Sequence, residues 1–285
     1  MKSLIEFFKM IKLEHSLFAL PFAFTGMFLA ANGFPSGRVI LWVVVAMVGA
    51  RSAAMGLNRL IDADIDAKNP RTSSRSIPAG NISKSSTLLY ILISFSVYFL
   101  AAYMLNPLTL MLSPIPVLVF LLYSYTKRFT NMCHIVLGLA LGLAPVGTWV
   151  AVTGTLNTAA PFILCFAVLA WTAGFDILYA IQDMEFDRQE GLHSIPAFLG
   201  ISGSLIVARV LHIISFILLV MLKFYGDLGL IYMAGVLVSG AFMVYEHSLV
   251  SKNDLSKLNM AFFNINAYIS ITIFVFTFID ILVIK

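Results

Sequence analysis

Asn58, Asp62 and Asp66 stand four residues apart, Asp183 and Asp187 repeat the interval, and Asp176 lies seven residues before Asp183. Steps of four and seven return to one face of an α-helix. Each series therefore lines up carboxylates that repel one another. A divalent cation removes that conflict. The donors are few and all are hard oxygens, and Mg²⁺ commonly takes one or two carboxylates together with substrate phosphate. The two faces read as a Mg²⁺–diphosphate clamp between two helices. A solvated acidic surface is the plainer reading of such charge, and it fits Asp64, Glu185 and Glu190, which point off these faces. Asp176 fits it poorly. It lies about 10 Å along the helix from Asp183 at ~1.5 Å per residue, so a cavity must reach inward to it.

A diphosphate also needs cations. Lys68, Arg71 and Arg75 follow the first acidic face, and Lys127 and Arg128 lie in the loop "YSYTKRFT". Arginine offers bidentate phosphate contacts and lysine a point charge, although membrane topology alone also recruits such residues. Arg51 is seven residues before Asn58, on the same face and two turns further in. A cation there is costly without a partner, and a substrate carboxylate or Asp176 would supply one. Tyr123, Tyr125 and Tyr179 have ring faces suited to a carbocation.

The elements that carry these residues are membrane helices. The chain is 60% hydrophobic and only 11% charged, against about 25% charged for soluble domains. Apolar runs long enough to cross a bilayer recur throughout, and nine spans are expected, near 16–32, 38–58, 87–105, 107–126, 133–153, 159–182, 203–223, 227–249 and 260–283. The two acidic series follow the second and sixth. Fifteen lysines and arginines fall on one side and only Arg38, Lys223 and Lys285 on the other, which places the rich side, with the N-terminus and the acidic loops, in the cytoplasm. The net charge of +4 needs no nucleic acid to explain it.

The opening "MKSLIEFFKMIKLEHS" lacks the apolar stretch of a cleaved leader, because Lys9, Lys12 and Glu14 interrupt it. It reads as an interfacial helix with Leu4, Ile5, Phe8 and Ile11 toward lipid. Cys133 and Cys165 have no paired ligand spacing and read as core, as do His15, His134, His212 and His247. "GLALG" at 138–142 reads as close helix packing. Soluble-enzyme signatures such as the P-loop or G-x-S-x-G are absent.

An internal echo links the two acidic loops. Asp62 and Asp66 match Asp183 and Asp187 at an offset of 121, and "RSIPAG" at 75–80 matches "HSIPAF" at 193–198 at an offset of 118. The chain is expected to form one domain over 1–285, with a pseudo-repeat at 58–80 and 176–198.

These motifs resemble the UbiA-type membrane prenyltransferases. The first family motif, Asn-x-x-x-Asp-x-x-x-Asp, is met by Asn58, Asp62 and Asp66, and its Arg-Thr-x-x-Arg-x-x-Pro-x-Gly sequel by Arg71, Thr72, Arg75, Pro78 and Gly80. The second, Asp-x-x-Tyr-Ala-x-x-Asp-x-x-x-Asp, is met by Asp176, Tyr179, Ala180, Asp183 and Asp187, and "YSYTKRFT" resembles the family's Tyr-x-Tyr-Thr-Lys-Arg loop. The resemblance implies an all-α fold of nine transmembrane helices around a central cavity capped by cytoplasmic loops, in the bacterial inner membrane. It implies Mg²⁺ on Asn58, Asp62, Asp66, Asp183 and Asp187, and a polyprenyl diphosphate held with Lys68, Arg71, Arg75, Lys127 and Arg128. It also implies an aromatic hydroxy acid near Arg51, Asp176, Tyr179 and His193.

One departure concerns the acceptor. Many 4-hydroxybenzoate enzymes of this family carry Gly-Ile-Lys-Ser where this chain has Gly191, Leu192, His193 and Ser194. That variant is similar to the subgroup that prenylates a dihydroxynaphthoate in the futalosine route to menaquinone. A non-quinone acceptor is a further alternative. An inward-facing, cation-coupled transporter is the rival outside the family, but the outer half carries only Asp227 and Asp280, which leaves no acidic path across.

Overall fold

The computed structural model describes residues 2–11 and 19–284. Helices follow in the order α1 (Lys2–Ile11), α2 (Leu20–Ala31), α3 (Gly37–Ile61), α4 (Ala63–Lys68), α5 (Lys84–Leu105), α6 (Pro107–Leu112) and α7 (Pro114–Thr126). They continue as α8 (Cys133–Thr153), α9 (Ala160–Ala180), α10 (Met184–Gln189), α11 (Ile195–Tyr225), α12 (Leu230–Ser248), the short turn α13 (Leu258–Met260) and α14 (Asn266–Ile284). A 3₁₀ turn at Ile181–Asp183 joins α9 to α10, and a π-helical turn at Ala261–Ile265 joins α13 to α14. Among the described residues there is no strand, only an isolated bridge between Ser251 and Asp254.

Eight stretches of the described residues are long and apolar enough to cross a membrane, and they fall on eight of the nine expected spans. The remaining span, 16–32, begins outside the described residues, as do Lys12, Glu14 and His15. Its described part is α2, twelve residues and about 18 Å at 1.5 Å per residue, short of the ~30 Å hydrocarbon core. The expected span 107–126 is interrupted at Ser113, where Pro114 opens α7, because proline cannot continue the hydrogen-bond ladder of the preceding turn.

Helix α1 and the chain from Ser36 to Tyr125 form one compact unit. Within it α3 packs along α5. Phe7, Met10 and Ile11 of α1 are buried with Ala63, Ile77 and Ile82, while Leu4, Ile5 and Phe8 are exposed. Ile11 therefore faces protein, against the expectation of lipid. One turn after Phe7, it sits at the margin of the apolar arc and joins the side with a partner.

Helix α2 and the chain from Thr126 form the second unit. Its centre is α9, packed between α8 and α11 and buried over most of its surface, Trp171, Phe175, Ile177 and Leu178 included. Gly138 and Gly142 of α8 lie against the carbonyls of Leu169 and Cys165, and a Cβ on Gly142 would fall 2.5 Å from the Cys165 oxygen. Only glycine permits that approach. Asp280 of α14 caps α12 from outside, accepting from the N–H groups of Gly229 (2.7 Å) and Tyr232 (3.0 Å). Such a cap matters in lipid, where water cannot satisfy a helix end. Buried Asn266 donates to Glu246 (2.8 Å) and to the carbonyls of Ala261 and Phe262 (each 3.2 Å), which steadies the π-helical turn.

Candidate active site

In the first unit α3 ends one residue before Asp62. Hydrogen bonds from the N–H of Asp62 to the Asn58 carbonyl (3.0 Å) and from the N–H of Asp66 to the Asp62 carbonyl (2.7 Å) carry the register across the break into α4. The three side chains thus keep one face although the helix is not continuous. Asn58 donates its amide to Asp62 Oδ2 at 2.9 Å. Asp66 is buried, and Arg75 Nη1 donates to both its oxygens at 2.7 and 2.8 Å. Thr72 donates to the Asp66 carbonyl, and Ile77 and Ile82 anchor the same loop on α1. Lys68, Arg71 and Arg128 are exposed, and Asp64 pairs at the surface with Lys84.

The second unit repeats the scheme with different cations. The 3₁₀ turn separates Asp183 from α9, and α10 carries Asp187. Asp187 is fully buried: Lys127 donates to Oδ1 at 3.0 Å and Ser194 to Oδ2 at 2.8 Å. The Ser194 hydroxyl also accepts from the Ala197 N–H and so caps α11. Lys127 is held by its own carbonyl, which accepts from the His193 N–H at 2.7 Å. Burial alone would lower the Lys127 pKa, but the charge and hydrogen bond of Asp187, with Asp183 beyond, hold it above the ordinary lysine value. Glu185 and Glu190 are exposed, as a solvated surface requires.

Deeper in α9, Asp176 Oδ2 pairs with His134 Nδ1 of α8 at 2.6 Å. Tyr179 stacks on Phe262 with ring centroids 3.9 Å apart and planes at 25°. Arg51 is half-buried on α3. His193 is exposed and lines a recess of about 190 Å³ with Asn131, Arg188, Leu192, Ala197 and Phe198. None of the other expected acceptor residues lines that recess.

Sequence reasoning missed His134, Ser194 and Phe262. The first had a readable signal. His134, Gly138 and Gly142 are spaced i, i+4, i+8, which puts the imidazole on the small-residue face that packs against α9.

The donor set suits a hard cation. Among the described residues no group of three His, Cys, Asp or Glu side chains is poised to hold a metal, and Mg²⁺ commonly takes one or two carboxylates together with substrate phosphate and water. Asp66 and Asp187 each spend their hydrogen bonds on a few donors, and an ionised carboxylate has about four lone-pair sites. Each therefore keeps lone pairs beyond those its protein donors engage.

Residues 19–268 match the UbiA prenyltransferase family profile. The chain belongs to that family. A 4-hydroxybenzoate octaprenyltransferase of Vibrio atlanticus is 32% identical over 253 residues, 89% of this chain and 88% of that protein. One from Vibrio cholerae is 33% identical over 248 residues, 87% and 86% of the two chains. The apo structure of a UbiA homolog from Aeropyrum pernix K1 superposes with a TM-score of 0.86 at 31% identity, covering 94% of this chain and 98% of that one. A UbiA homolog from Archaeoglobus fulgidus, solved bound to GPP and Mg²⁺, shares the fold with a TM-score of 0.70 at 20% identity, covering 98% and 100%. This UbiA family member is an integral membrane enzyme, a prenyltransferase.

Proposed function

We propose that this enzyme transfers a polyprenyl group from polyprenyl diphosphate to an aromatic hydroxy acid, 4-hydroxybenzoate or 1,4-dihydroxy-6-naphthoate, at the cytoplasmic face of the inner membrane in quinone synthesis. The observation that carries the reading is the pairing of Asp66 with Arg75 and of buried Asp187 with Lys127. In each motif the second aspartate has a cation brought from elsewhere in the chain, which can turn to a phosphate oxygen when a metal takes the carboxylate. The relatives named 4-hydroxybenzoate octaprenyltransferase and the GPP- and Mg²⁺-bound homolog support it.

Asn58, Asp62 and Asp66 in one motif, and Asp183 and Asp187 in the other, would hold Mg²⁺. When bound, the metal supplies positive charge that stabilises the departing diphosphate. Arg75 and Lys127 orient the aspartates and neutralise phosphate oxygens, with Lys68, Arg71 and Arg128 at the entrance. Tyr179, stacked on Phe262, offers a ring face to the allylic carbon as it becomes cationic. Arg51 binds the acceptor carboxylate, Asp176 accepts from its hydroxyl, and His193 contributes to the choice between a benzoate and a naphthoate.

Purified protein in lipid with geranylgeranyl diphosphate, Mg²⁺ and each acceptor in turn tests this, with product followed by mass spectrometry. Prenylation of one acceptor, abolished by EDTA, is expected. No product from either would overturn the aromatic-acid assignment and leave the family membership standing.

A further inference from the structure

Asp176 is the odd residue of its helix. Its neighbours Trp171, Thr172, Ala173, Phe175, Ile177 and Leu178 are almost wholly buried, whereas the Asp176 side chain keeps 20% of its surface open. A carboxylate about 10 Å along a membrane helix from its polar end is costly unless it is held by a partner and faces a cavity. The partner is His134, whose side chain is only 3% exposed.

An ionised carboxylate only accepts, so His134 Nδ1 carries the hydrogen and the 2.6 Å contact runs from imidazole to Asp176 Oδ2. His134 Nε2 is buried without a hydrogen-bond partner among the described residues, so the ring presents nothing outward itself. It stands behind the carboxylate. Asp176 Oδ1 makes no hydrogen bond among the described residues. The backbone supports the same arrangement. Gly138 and Gly142 seat α8 on the Leu169 and Cys165 carbonyls, and His134, one turn before Gly138, reaches Asp176 along the same seam.

We infer that His134 is a positioning residue for prenyl transfer. It locks the Asp176 carboxylate so that Oδ1 accepts a hydrogen bond from the hydroxyl of the aromatic acceptor, beside the ring carbon that is to be alkylated. The inference rests on the aromatic-acceptor reading above. It assigns to His134 a part in acceptor orientation and none in diphosphate binding.

A double-mutant cycle in lipid nanodiscs with geranylgeranyl diphosphate, Mg²⁺ and the preferred acceptor tests it. His134→Leu should lower kcat/KM for the acceptor about tenfold or more while the KM for the diphosphate stays within about twofold. His134→Asn, whose amide can occupy the Nδ1 position, should recover most of the loss. His134→Gln, whose amide reaches the Nε2 position instead, should not. Adding His134→Leu to Asp176→Asn should cost nothing further. Unchanged acceptor kinetics in His134→Leu, equal effects of Asn and Gln, or losses that multiply in the double variant would each overturn the inference. If His134→Leu fails to insert, the Asn–Gln contrast decides alone. A wild-type enzyme that prenylates neither acid sinks the acceptor reading and this inference together, whereas an active wild type with an indifferent His134 sinks only the latter.

Discussion

Asp187 has no exposed surface, and its oxygens are answered by Lys127 and Ser194. Replacing Lys127 with Met leaves that buried carboxylate without its cation, a loss of about 2 kcal/mol for a charged hydrogen bond. The KM for the prenyl diphosphate should rise about tenfold in steady-state assays, with the acceptor KM little changed. The pH dependence follows from the direction of the shift. A lysine pKa raised in the folded state contributes stability that is complete below its unfolded value and is lost only as pH climbs through the higher folded value. Lys127 therefore stays charged across neutral pH, and rates measured between pH 6 and 9 should show no step from it. That Asn58, Asp62 and Asp66 share one helical face was legible from their four-residue spacing. Their partners were not. Arg75 comes from nine residues beyond Asp66 and Lys127 from sixty before Asp187, and such pairings are made by tertiary packing, which no local pattern encodes.

At the scale of elements, apolar runs located eight spans, because length and hydropathy are what a bilayer selects. Breaks within them were harder to read. The chain leaves regular α-helix at Asp62, over Ile181–Asp183, at Gly200 (φ 70°) and over Ala261–Ile265. Two of these breaks coincide with Asp62 and Asp183 of the two acidic motifs, and a third brings Phe262 to Tyr179. Irregular backbone at membrane depth survives only where protein or a cavity satisfies it, and Asn266 does so for the π-helical turn. Elsewhere the helix ends depend on imported caps. Asp280→Ala should remove both acceptors at the start of α12 and cost about 1–2 kcal/mol, read as a lower Tm in detergent with prenyl transfer per folded molecule unchanged. Gly142→Leu should destabilise by about 1–3 kcal/mol through overpacking, because its side chain must enter the Cys165 carbonyl. A Tm within error of wild type would show that α8 and α9 can separate at no cost.

Over the whole molecule, the repeated acidic and Ser-Ile-Pro-Ala segments do matching work in the two units. In each, a side chain at or just before the Ser-Ile-Pro-Ala tetrapeptide donates to the second aspartate, Arg75 to Asp66 and Ser194 to Asp187. The donors do not stand at equivalent positions, since at the offset of 118 Arg75 matches His193 and Ser194 matches Ser76, and the charge beside Asp187 comes from Lys127 instead. Membership of the UbiA prenyltransferase family accounts for both motifs and for the all-helical membrane fold. Under the proposed function each motif would hold part of the metal–diphosphate charge, so neither would suffice alone. The most direct test is the Mg²⁺-dependent prenyl-transfer rate of Asp62→Asn and of Asp183→Asn, each inserted in lipid at wild-type levels. Either substitution alone should lower the rate by about a hundredfold or more. A near-normal rate in either variant would contradict it.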